Sequence, residues 1–344
     1  MVKWKPIIKQ NENQLFWDNL FKNKLYTSFY QSYNWGEYKR NFKWIPYRLT
    51  CHEESSDICL EQIQILVKSY KINFFYLWIF RISICWIPGV SIETSKFLDN
   101  NFIQLIKKLT KSNIVYLRSS IFSSYSTINS IILISQNWRR ALVPLSTGLS
   151  MVHDLTIDLS QLDKIMSSNW RHNLKRGLTK NSEPKKWDNP SAKKIFELYR
   201  DVELKKNIAE QFSLSEIEKL LQYFGENLII FKVENIFNEV IAIRGCIIWG
   251  NTAFDLFAAA NEEARKIYAS HVILAKLLKY CISQNVIRYD MAGIDPINGK
   301  GVYHFKKGSG AKEIEYMGEW EQSNSKILRL IINFKVSRIS NVNI

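Results

Sequence analysis

The most informative segment of the chain is Tyr289-Asp290-Met291-Ala292-Gly293-Ile294-Asp295-Pro296, followed by Gly301-Val302-Tyr303-His304-Phe305-Lys306-Lys307-Gly308-Ser309-Gly310. The apolar run that leads into Asp290 predicts a buried strand, and the glycine and proline after it predict a turn. Glycines on both sides of the lysine pair predict a loop. We therefore expect a strand, a glycine turn and a lysine loop.

A helix-and-strand unit surrounds this stretch and has a counterpart earlier in the chain. Apolar residues recur at helical spacing from Val272 to Cys281, and the strand Val286 to Asp290 follows. The same order appears from Phe102 to Leu109, followed by the strand Ile114 to Leu117. Duplication of an α/β unit explains this, and chance similarity between short units explains it nearly as well.

The length of 344 residues favours two domains of about 150 residues each. Apolar residues make up 46% of the chain and charged residues 23%, which excludes a mainly disordered or fibrous chain.

The first half shows signals for both strands and a helix. Alternation predicts strands at Ile63 to Val67 and at Phe74 to Cys85, closed by a Pro88-Gly89 turn. Helical spacing marks Gln31 to Lys39. Between the halves, we expect one helix that starts at Ser160 as its N-cap and runs to about Lys180.

The charge and the apolar segments limit the partners and the location. A formal charge of +15 suggests tRNA, a nucleotide sugar, a lipid pyrophosphate or an anionic membrane face. The abundance of lysine, isoleucine and asparagine fits an AT-rich genome equally well. The start of the chain, Met1 to Pro6, lacks the apolar core of an export signal, and Phe74 to Val90 is too short to span a bilayer. We therefore expect a cytoplasmic protein. The five cysteines show no metal-binding spacing, so we expect them to be reduced residues of the core.

Five segments together resemble the FemABX family, the aminoacyl-tRNA-dependent peptidyltransferases that build peptidoglycan cross-bridges. They follow the family order over nearly the whole chain, and residues 289 to 320 are the most specific part. They are Gln31 to Lys39, Trp86-Ile87-Pro88-Gly89, Trp170-Arg171-His172-Asn173-Leu174-Lys175, the stretch 289–310 quoted above, and Tyr316-Met317-Gly318-Glu319-Trp320.

The resemblance implies an α/β (α+β) fold of two tandem GNAT-like acyltransferase domains, with mixed sheets flanked by helices. The expected bounds are 1–150, 151–317, and a segment 318–344 that returns to the first domain. It implies the compact type, without the coiled-coil arm of some relatives.

The resemblance also implies the reaction. An amine of a nucleotide- or lipid-linked peptidoglycan precursor, held in a channel across the domains, attacks the ester of an aminoacyl-tRNA. No cofactor, metal or covalent intermediate is implied. We expect a monomer that associates peripherally with the inner membrane face.

Lys306 and Phe305 match the family's catalytic pair. The ester is already activated, so the main requirements are positioning and a cation near the carbonyl oxygen on which negative charge develops. We interpret Lys306 as that cation. The alternative is that Lys306 and Lys307 form a solvated pair on a loop.

Several residues are candidates for substrate binding. Lys39, which matches the family's precursor-binding lysine, follows Trp35 on a predicted helix. Arg171 and Lys175 lie four residues apart on one helical face, with Lys164 on the same stripe, and would contact phosphate. The alternative for these lysines and the arginine is a solvated face. Lys205 and Tyr303 are the remaining candidates for substrate binding.

Asp290 and Asp295 are candidates for a base or for structural roles. A carboxylate at a strand end beside glycine often accepts bonds from backbone N–H groups, and Asp295 precedes a proline, as turn residues do. His153, His271 and His304 have no partner at metal-ligand spacing, so we expect them to be structural.

Departures from the family pattern affect the base and the acceptor. Arg118-Ser119-Ser120 stands where relatives often carry a carboxylate, so deprotonation is expected to be substrate-assisted. Lys205 can replace a family arginine, whereas Leu214 stands about where a precursor-binding tyrosine would be.

Two alternatives remain open. An acyl-CoA-dependent N-acyltransferase of polysaccharide or glycolipid synthesis would need a glycine-containing pyrophosphate loop, and the stretch Ala264 to Ser270 has no glycine. A non-catalytic basic RNA-binding relative would explain the missing carboxylate and tyrosine.

Overall fold

The computed structural model describes residues 2–7, 13–21, 28–53, 58–74, 78–96, 98–180 and 183–340. The chain divides into two compact units. Unit 1 comprises Met1–Gly148 and Glu315–Ile344, and unit 2 comprises Leu149–Ile314. The sequence-based expectation places the corresponding bounds after residues 150 and 317.

Unit 1 contains a mixed sheet and several helices. In chain order these are β1 (Val2–Pro6), α1 (Gln14–Phe21), α2 (Tyr33–Arg40), β2 (Ile45–Glu53), β3 (Cys59–Phe74), β4 (Trp78–Val90), α3 (Ile92–Lys96), α4 (Asn100–Thr110), β5 (Ile114–Ser124), α5 (Thr127–Ser135) and β6 (Arg139–Arg140).

Unit 2 contains a second mixed sheet. Its elements are β7 (Leu149–Asp154), α6 (Leu162–Ile165), α7 (Ser168–Thr179), β8 (Lys185–Lys186), α8 (Ala192–Lys206), α9 (Leu214–Phe224), β9 (Leu228–Glu234), β10 (Val240–Trp249), β11 (Thr252–Ala260), α10 (Glu262–Lys266), α11 (Ala269–Ser283), β12 (Arg288–Gly293) and α12 (Lys300–Gly308). The chain then passes through β13 (Lys312–Ser323) into unit 1, where α13 (Lys326–Ser340) follows.

The two sheets have the same connection pattern. In unit 1 the order is β1-β2-β3-β4-β5-β13, with β4 and β5 parallel and the other neighbours antiparallel. In unit 2 the order is β7-β12-β11-β10-β9-β8, with β11 and β12 parallel. A helix crosses between the parallel strands in each case, since α4 joins β4 to β5 and α11 joins β11 to β12. This repeated order is what duplication of an α/β unit produces.

Each unit has its own core. The predicted helical faces are confirmed in α4, which buries Phe102 and Ile106 in the core of unit 1, and in α11, which buries Leu274 and Leu278 in that of unit 2. Burial of these apolar faces is what holds amphipathic helices against their sheets.

The strand signals in unit 1 were right in kind but wrong in their ends. Phe74 ends β3 instead of starting the next strand, which begins at Trp78, and the predicted positions 75–77 lie outside the described residues. Pro88 and Gly89 do not form a closing turn. They lie in a bulge of β4, where Gln31 Nε2 donates to Pro88 O (2.7 Å) and Ser28 Oγ donates to Gly89 O (3.0 Å).

The predicted helix from Ser160 to Lys180 is broken. The backbone is extended at Met166 and Ser167, and α7 starts afresh with Ser167 as its N-cap. The break has a tertiary cause, because Ser167 N donates to Gly308 O (2.9 Å) instead of continuing the helical ladder. Lys164 therefore lies on α6, and not on one stripe with Arg171 and Lys175.

The prediction of a lysine loop is also wrong, because residues 300–308 form helix α12. The glycines that suggested a loop stand at its ends, where they are tolerated, and no helix breaker lies between them. At the C-terminal end, Gly308 packs closely on Trp170 of α7, where an added Cβ would lie 3.1 Å from Trp170 Cδ1.

Among the described residues, no helix has the length and apolar character needed to cross a membrane. All five cysteines are free thiols, four of them buried and Cys59 half-buried.

Candidate functional site

A cavity opens in unit 2 where the parallel strands β11 and β12 stop pairing. Backbone pairing between them is confined to Thr252–Phe254 and Arg288–Asp290. Past this point a cavity of about 430 Å³ is lined by Asp255, Ala258 and Ala259 of β11, Met291 and Ala292 of β12, and Phe305 and Lys306 of α12, among others. The stretch singled out in the sequence thus forms one side of this cavity.

Lys306 is buried at the cavity, with 7% of its surface exposed. Its Nζ donates to the carbonyl oxygens of Met291 (2.6 Å), Ala292 (3.1 Å) and Gly293 (2.8 Å). All three ammonium hydrogens are therefore used by the bend of β12. Burial lowers the pKa of Lys306 to about 8, with Asp255 opposing the shift. The neighbouring Lys307 is exposed, so the two lysines are not an equivalent solvated pair.

The bend that receives Lys306 is itself held by Asp290. Ala292 adopts a left-handed conformation with φ of 62°. The Asp290 carboxylate accepts hydrogen bonds from Ala292 N (2.9 Å) and from Ser150 Oγ (2.6 Å). This is the geometry of a carboxylate that binds backbone N–H, the structural alternative considered for Asp290.

Three residues that the sequence did not single out as site residues form a buried network, and two of them, Arg244 and Asp255, line the cavity. Arg244 donates to Asp255 through Nε (3.0 Å) and Nη2 (2.6 Å), and Tyr289 OH donates to Asp255 Oδ1 (2.7 Å). Burial raises the pKa of the Asp255 carboxyl, and the Arg244 guanidinium opposes that shift. In the sequence, Arg244 and Asp255 could have been recognised as charged residues within two otherwise apolar strands, β10 and β11.

Phe305 packs where the network meets α7 and α11. Its ring lies 5.1 Å from the His271 ring and 5.9 Å from the Trp170 ring, and Arg244 Cζ lies 5.8 Å from its centroid. Phe305 thus packs beside the cation that holds Asp255.

Cations also line the cavity where it meets solvent. Lys206 and Arg265 are both exposed lining residues. Partial burial and the nearby Arg265 lower the pKa of Lys206. The candidate Lys205 is not a lining residue of this cavity. Its Nζ binds Asp201 Oδ1 (2.8 Å) on the exposed side of α8.

The other unit 2 candidates are at the surface. Arg171 and Lys175 are exposed on α7, and Arg171 Nη1 donates to Asp163 O (3.4 Å). Tyr303 OH donates to Glu313 Oε2 (3.2 Å) and accepts from Lys307 Nζ (3.2 Å).

Asp295 and the histidines have local roles. Asp295 Oδ1 accepts from the backbone N of Ile297 and of Asn298, both at 2.9 Å, which is a turn arrangement. His153 Nε2 lies 3.0 Å from Ser309 Oγ. His304 is exposed. In the described part of the chain, no group of three or more His, Cys, Asp or Glu residues could hold a metal.

In unit 1, Lys39 lies in an aromatic cluster. Its Nζ is 4.5 Å from the centroid of Trp35, 5.0 Å from Tyr38, and 5.7 Å from both Phe42 and Trp86. Such faces attract a cation and orient it. Trp35 and Lys39, predicted together, are thus brought into direct contact.

Gly36 lets α2 approach the sheet in this region. A Cβ at Gly36 would lie 2.2 Å from Gln64 Oε1 and 2.7 Å from Arg48 Nη2. Any larger residue after Trp35 would therefore have to displace the ends of the Gln64 and Arg48 side chains.

Arg118, at the position where relatives often carry a carboxylate, is buried in an ion pair with Glu319 of β13. Arg118 Nε donates to Glu319 Oε2 at 2.6 Å, and Leu145 N donates to Glu319 Oε1 at 3.1 Å. The carboxylate of this pair belongs to the segment Tyr316 to Trp320.

Comparisons with known proteins agree with this architecture. The model of the FemAB family matches residues 200–334, which include α12 and all the lining residues of the cavity. The crystal structure of FemX superposes with a TM-score of 0.76 at 14% identity, covering 96% of this chain and 100% of FemX. A tandem GNAT protein from the clavulanic acid biosynthesis pathway superposes with a TM-score of 0.55 at 10% identity, covering 94% and 99%. No curated protein matches the sequence significantly.

The fold is therefore similar to those of FemX and of a tandem GNAT protein, which confirms the fold class predicted from the sequence. The FemAB match covers residues 200–334, and the similarity to FemX shows a shared fold over nearly the whole chain.

Proposed function

We propose that the chain transfers an amino acid from aminoacyl-tRNA to an amine of a peptidoglycan precursor stem peptide. The observation that carries this proposal is Lys306, a buried ammonium beside an open cavity within the segment that matches the FemAB family.

The cavity suits a small acyl group attached to a polyanion. Ala258, Ala259 and Val302 line it with small or apolar side chains, whereas Lys206 and Arg265 line it where it meets solvent. We infer that the aminoacyl group enters the cavity and that the terminal phosphates of the tRNA contact the two cations. Electrostatic attraction of this kind supplies much of the affinity for nucleic acids.

Lys306 would then act on the ester carbonyl. Its bonds to Ala292 and Gly293 are only partly buried, whereas the bond to Met291 is buried. The carbonyl oxygen of the donor ester takes the place of the Ala292 or the Gly293 oxygen as a hydrogen-bond acceptor of Lys306. The ammonium then faces the oxygen that becomes negative. The amine nitrogen forms the amide bond, the ester C–O bond breaks, and the ribose hydroxyl of the tRNA leaves with the proton lost by the amine.

The acceptor is a nucleotide- or lipid-linked precursor. Lys39 and Trp35 are its proposed contacts in unit 1, and Lys205, Tyr303, Arg171 and Lys175 are proposed contacts with substrate in unit 2. The reaction uses no cofactor, takes place in the cytoplasm and is carried out by a monomer.

The test offers charged tRNAs and acyl-CoAs in parallel, with nucleotide-linked and lipid-linked stem peptides as acceptors, and identifies products by mass. We expect amide formation from aminoacyl-tRNA. Transfer from acyl-CoA alone would establish the N-acyltransferase alternative. Binding of tRNA without any product would establish the non-catalytic RNA-binding alternative.

A further inference from the structure

Helix α13 has two apolar faces. One face buries Leu328 and Ile332 against Tyr116 of β5. The other consists of large apolar residues that are exposed, and we call it the α13 stripe: Ile327 (72% exposed), Leu330 (61%), Ile331 (47%) and Phe334 (60%).

Helical geometry separates these faces cleanly. At about 100° per residue, the α13 stripe spans an arc of about 100°, and Leu328 and Ile332 lie outside this arc, about 110° and 150° from its centre. A surface helix normally needs a single apolar face toward its own core. A second apolar face of this size indicates a surface that is covered in the working protein.

The charges that α13 itself places around the α13 stripe are all positive. Lys326 and Lys335 fall on its two sides, and Arg338 lies at its C-terminal end with Cζ 4.5 Å from the Phe334 ring. The sequence from 326 to 340 contains no Asp or Glu. Arg329 points to the inner side, where it is paired with Glu321.

A neighbouring segment that is tied to α13 also exposes apolar side chains. Leu142 and Leu145 are exposed. Their segment is tied to α13, since Val143 N donates to Asn333 Oδ1 (3.1 Å) and Arg329 Nη2 donates to Arg140 O (3.3 Å).

We propose that the α13 stripe is an interfacial surface that binds an anionic lipid bilayer, with its apolar side chains at the acyl boundary. Long lysine and arginine side chains on the flanks of an apolar stripe can reach anionic headgroups while the stripe inserts. A second copy of the chain is a poorer occupant. Two-fold pairing of this face would bring Lys326, Lys335 and Arg338 of both copies together without a carboxylate of α13 to balance them.

This inference goes beyond the proposed function, and binding to lipid is measured without donor or acceptor. A failure of lipid binding would therefore leave the proposed transferase function intact, and a failure of transfer would leave the proposed lipid binding intact.

The experiment is sedimentation of the full chain with vesicles of phosphatidylglycerol and phosphatidylcholine, and with vesicles of phosphatidylcholine alone. We expect binding to the anionic vesicles that weakens in high salt and in the absence of phosphatidylglycerol. The double variant Leu330→Glu/Phe334→Glu should lower the partition coefficient about tenfold or more. Both residues are exposed, so thermal unfolding should be unchanged.

Helix α5 provides the matched control. Ile128 and Ile131 are exposed to a similar degree, at 72% and 62%, and α5 contains no lysine or arginine. The variant Ile128→Glu/Ile131→Glu should bind anionic vesicles like the unmodified chain.

Three results would overturn the proposal. They are absence of binding to anionic vesicles, equal loss of binding in the α5 variant, and a dimer in sedimentation velocity that Leu330→Glu/Phe334→Glu dissociates. The last result would assign the surface to a second copy.

Discussion

The ammonium of Lys306 is buried beside the cavity of unit 2. Lys306 keeps its charge at neutral pH because three backbone carbonyls replace the water it has lost, and Asp255 provides a nearby negative charge. Its hydrogen bonds also hold the bend at Met291–Gly293. Lys306 therefore has a structural task in addition to the catalytic one proposed here.

Removal of this ammonium is the first prediction. We expect Lys306→Ala to lower the transfer rate by about 10- to 1,000-fold, on the order of one lost oxyanion donor. The measurement is single-turnover transfer from aminoacyl-tRNA. Lys307→Ala, which removes an exposed lysine, is the matched control and should retain the rate. A near-normal rate in Lys306→Ala would remove this lysine from the mechanism.

The pH dependence tests the same group. Because the pKa of Lys306 is lowered to about 8, the ammonium is present below that pH and is lost as the pH rises through it. The single-turnover rate should therefore fall above about pH 8. The residual activity of Lys306→Met should lack this descending limb, whereas a structural role alone would leave its shape unchanged.

His153 should make unit 2 sensitive to acid. Burial, with help from the Arg244 charge, lowers the pKa of His153 from 6.5 to about 4. The unfolded chain therefore binds more protons between these values, and stability is lost as the pH falls from 6.5 to 4. The full effect is on the order of 3 kcal/mol.

Urea unfolding at several pH values measures this effect. The loss of stability on acidification should be smaller in His153→Gln than in the unmodified chain. Substitution of the exposed His172 by Gln should leave it unchanged. Parallel pH profiles for all three proteins would contradict the prediction.

At the scale of elements, the position of α12 sets that of the lysine. The helix ends at Gly308, and Gly310 follows with φ of 93° in a conformation that favours glycine. A Cβ at Gly310 would lie 2.7 Å from Ile165 Cγ1 and 2.8 Å from Ile165 O. This glycine thus allows the end of α12 to pack against α6.

We expect Gly310→Ala to lower the free energy of unfolding by about 2 to 4 kcal/mol, from backbone strain and the clash with Ile165. Chemical denaturation measures it. Gly301→Ala is the control on the same helix, because nothing lies within 4 Å of its added Cβ. That change should be neutral or stabilising by up to about 1 kcal/mol. Equal stability of the two variants would refute the claim that the conformation and packing at position 310 require glycine.

At the scale of the whole molecule, the charge of +15 bears on the donor. Affinity for tRNA should fall at least about tenfold between about 50 and 200 mM salt, because bound phosphates release counterions. Each cation that contacts a phosphate contributes about one to the slope of log affinity against log salt. A binding titration over this salt range measures the slope.

Lys206→Ala/Arg265→Ala should reduce that slope by about two if both line the path of the tRNA end. Lys219→Ala on α9 removes a half-buried lysine that donates to Gln222, outside the cavity lining, and is the control. A flat salt response in the unmodified chain would argue against an RNA donor.

The pairs of helix and strand, the repeated α/β order and the segments that carry the family resemblance could all be predicted from the amino-acid order. Such features depend on local periodicity and on the identity of neighbouring residues, which the chain order contains. The amino-acid order also brought Trp35 and Lys39 together, because they lie four residues apart on one helix.

The remaining features depend on tertiary packing. The break before α7 depends on a hydrogen bond between Ser167 and Gly308, which are far apart in the sequence. The helical state of α12, the burial of Lys306 beside Lys307, and the pairing of Arg244 with Asp255 and of Arg118 with Glu319 likewise depend on which strands and helices become neighbours. The physical reason is that burial and the pairing of buried charges are properties of packed elements, and no local pattern specifies them.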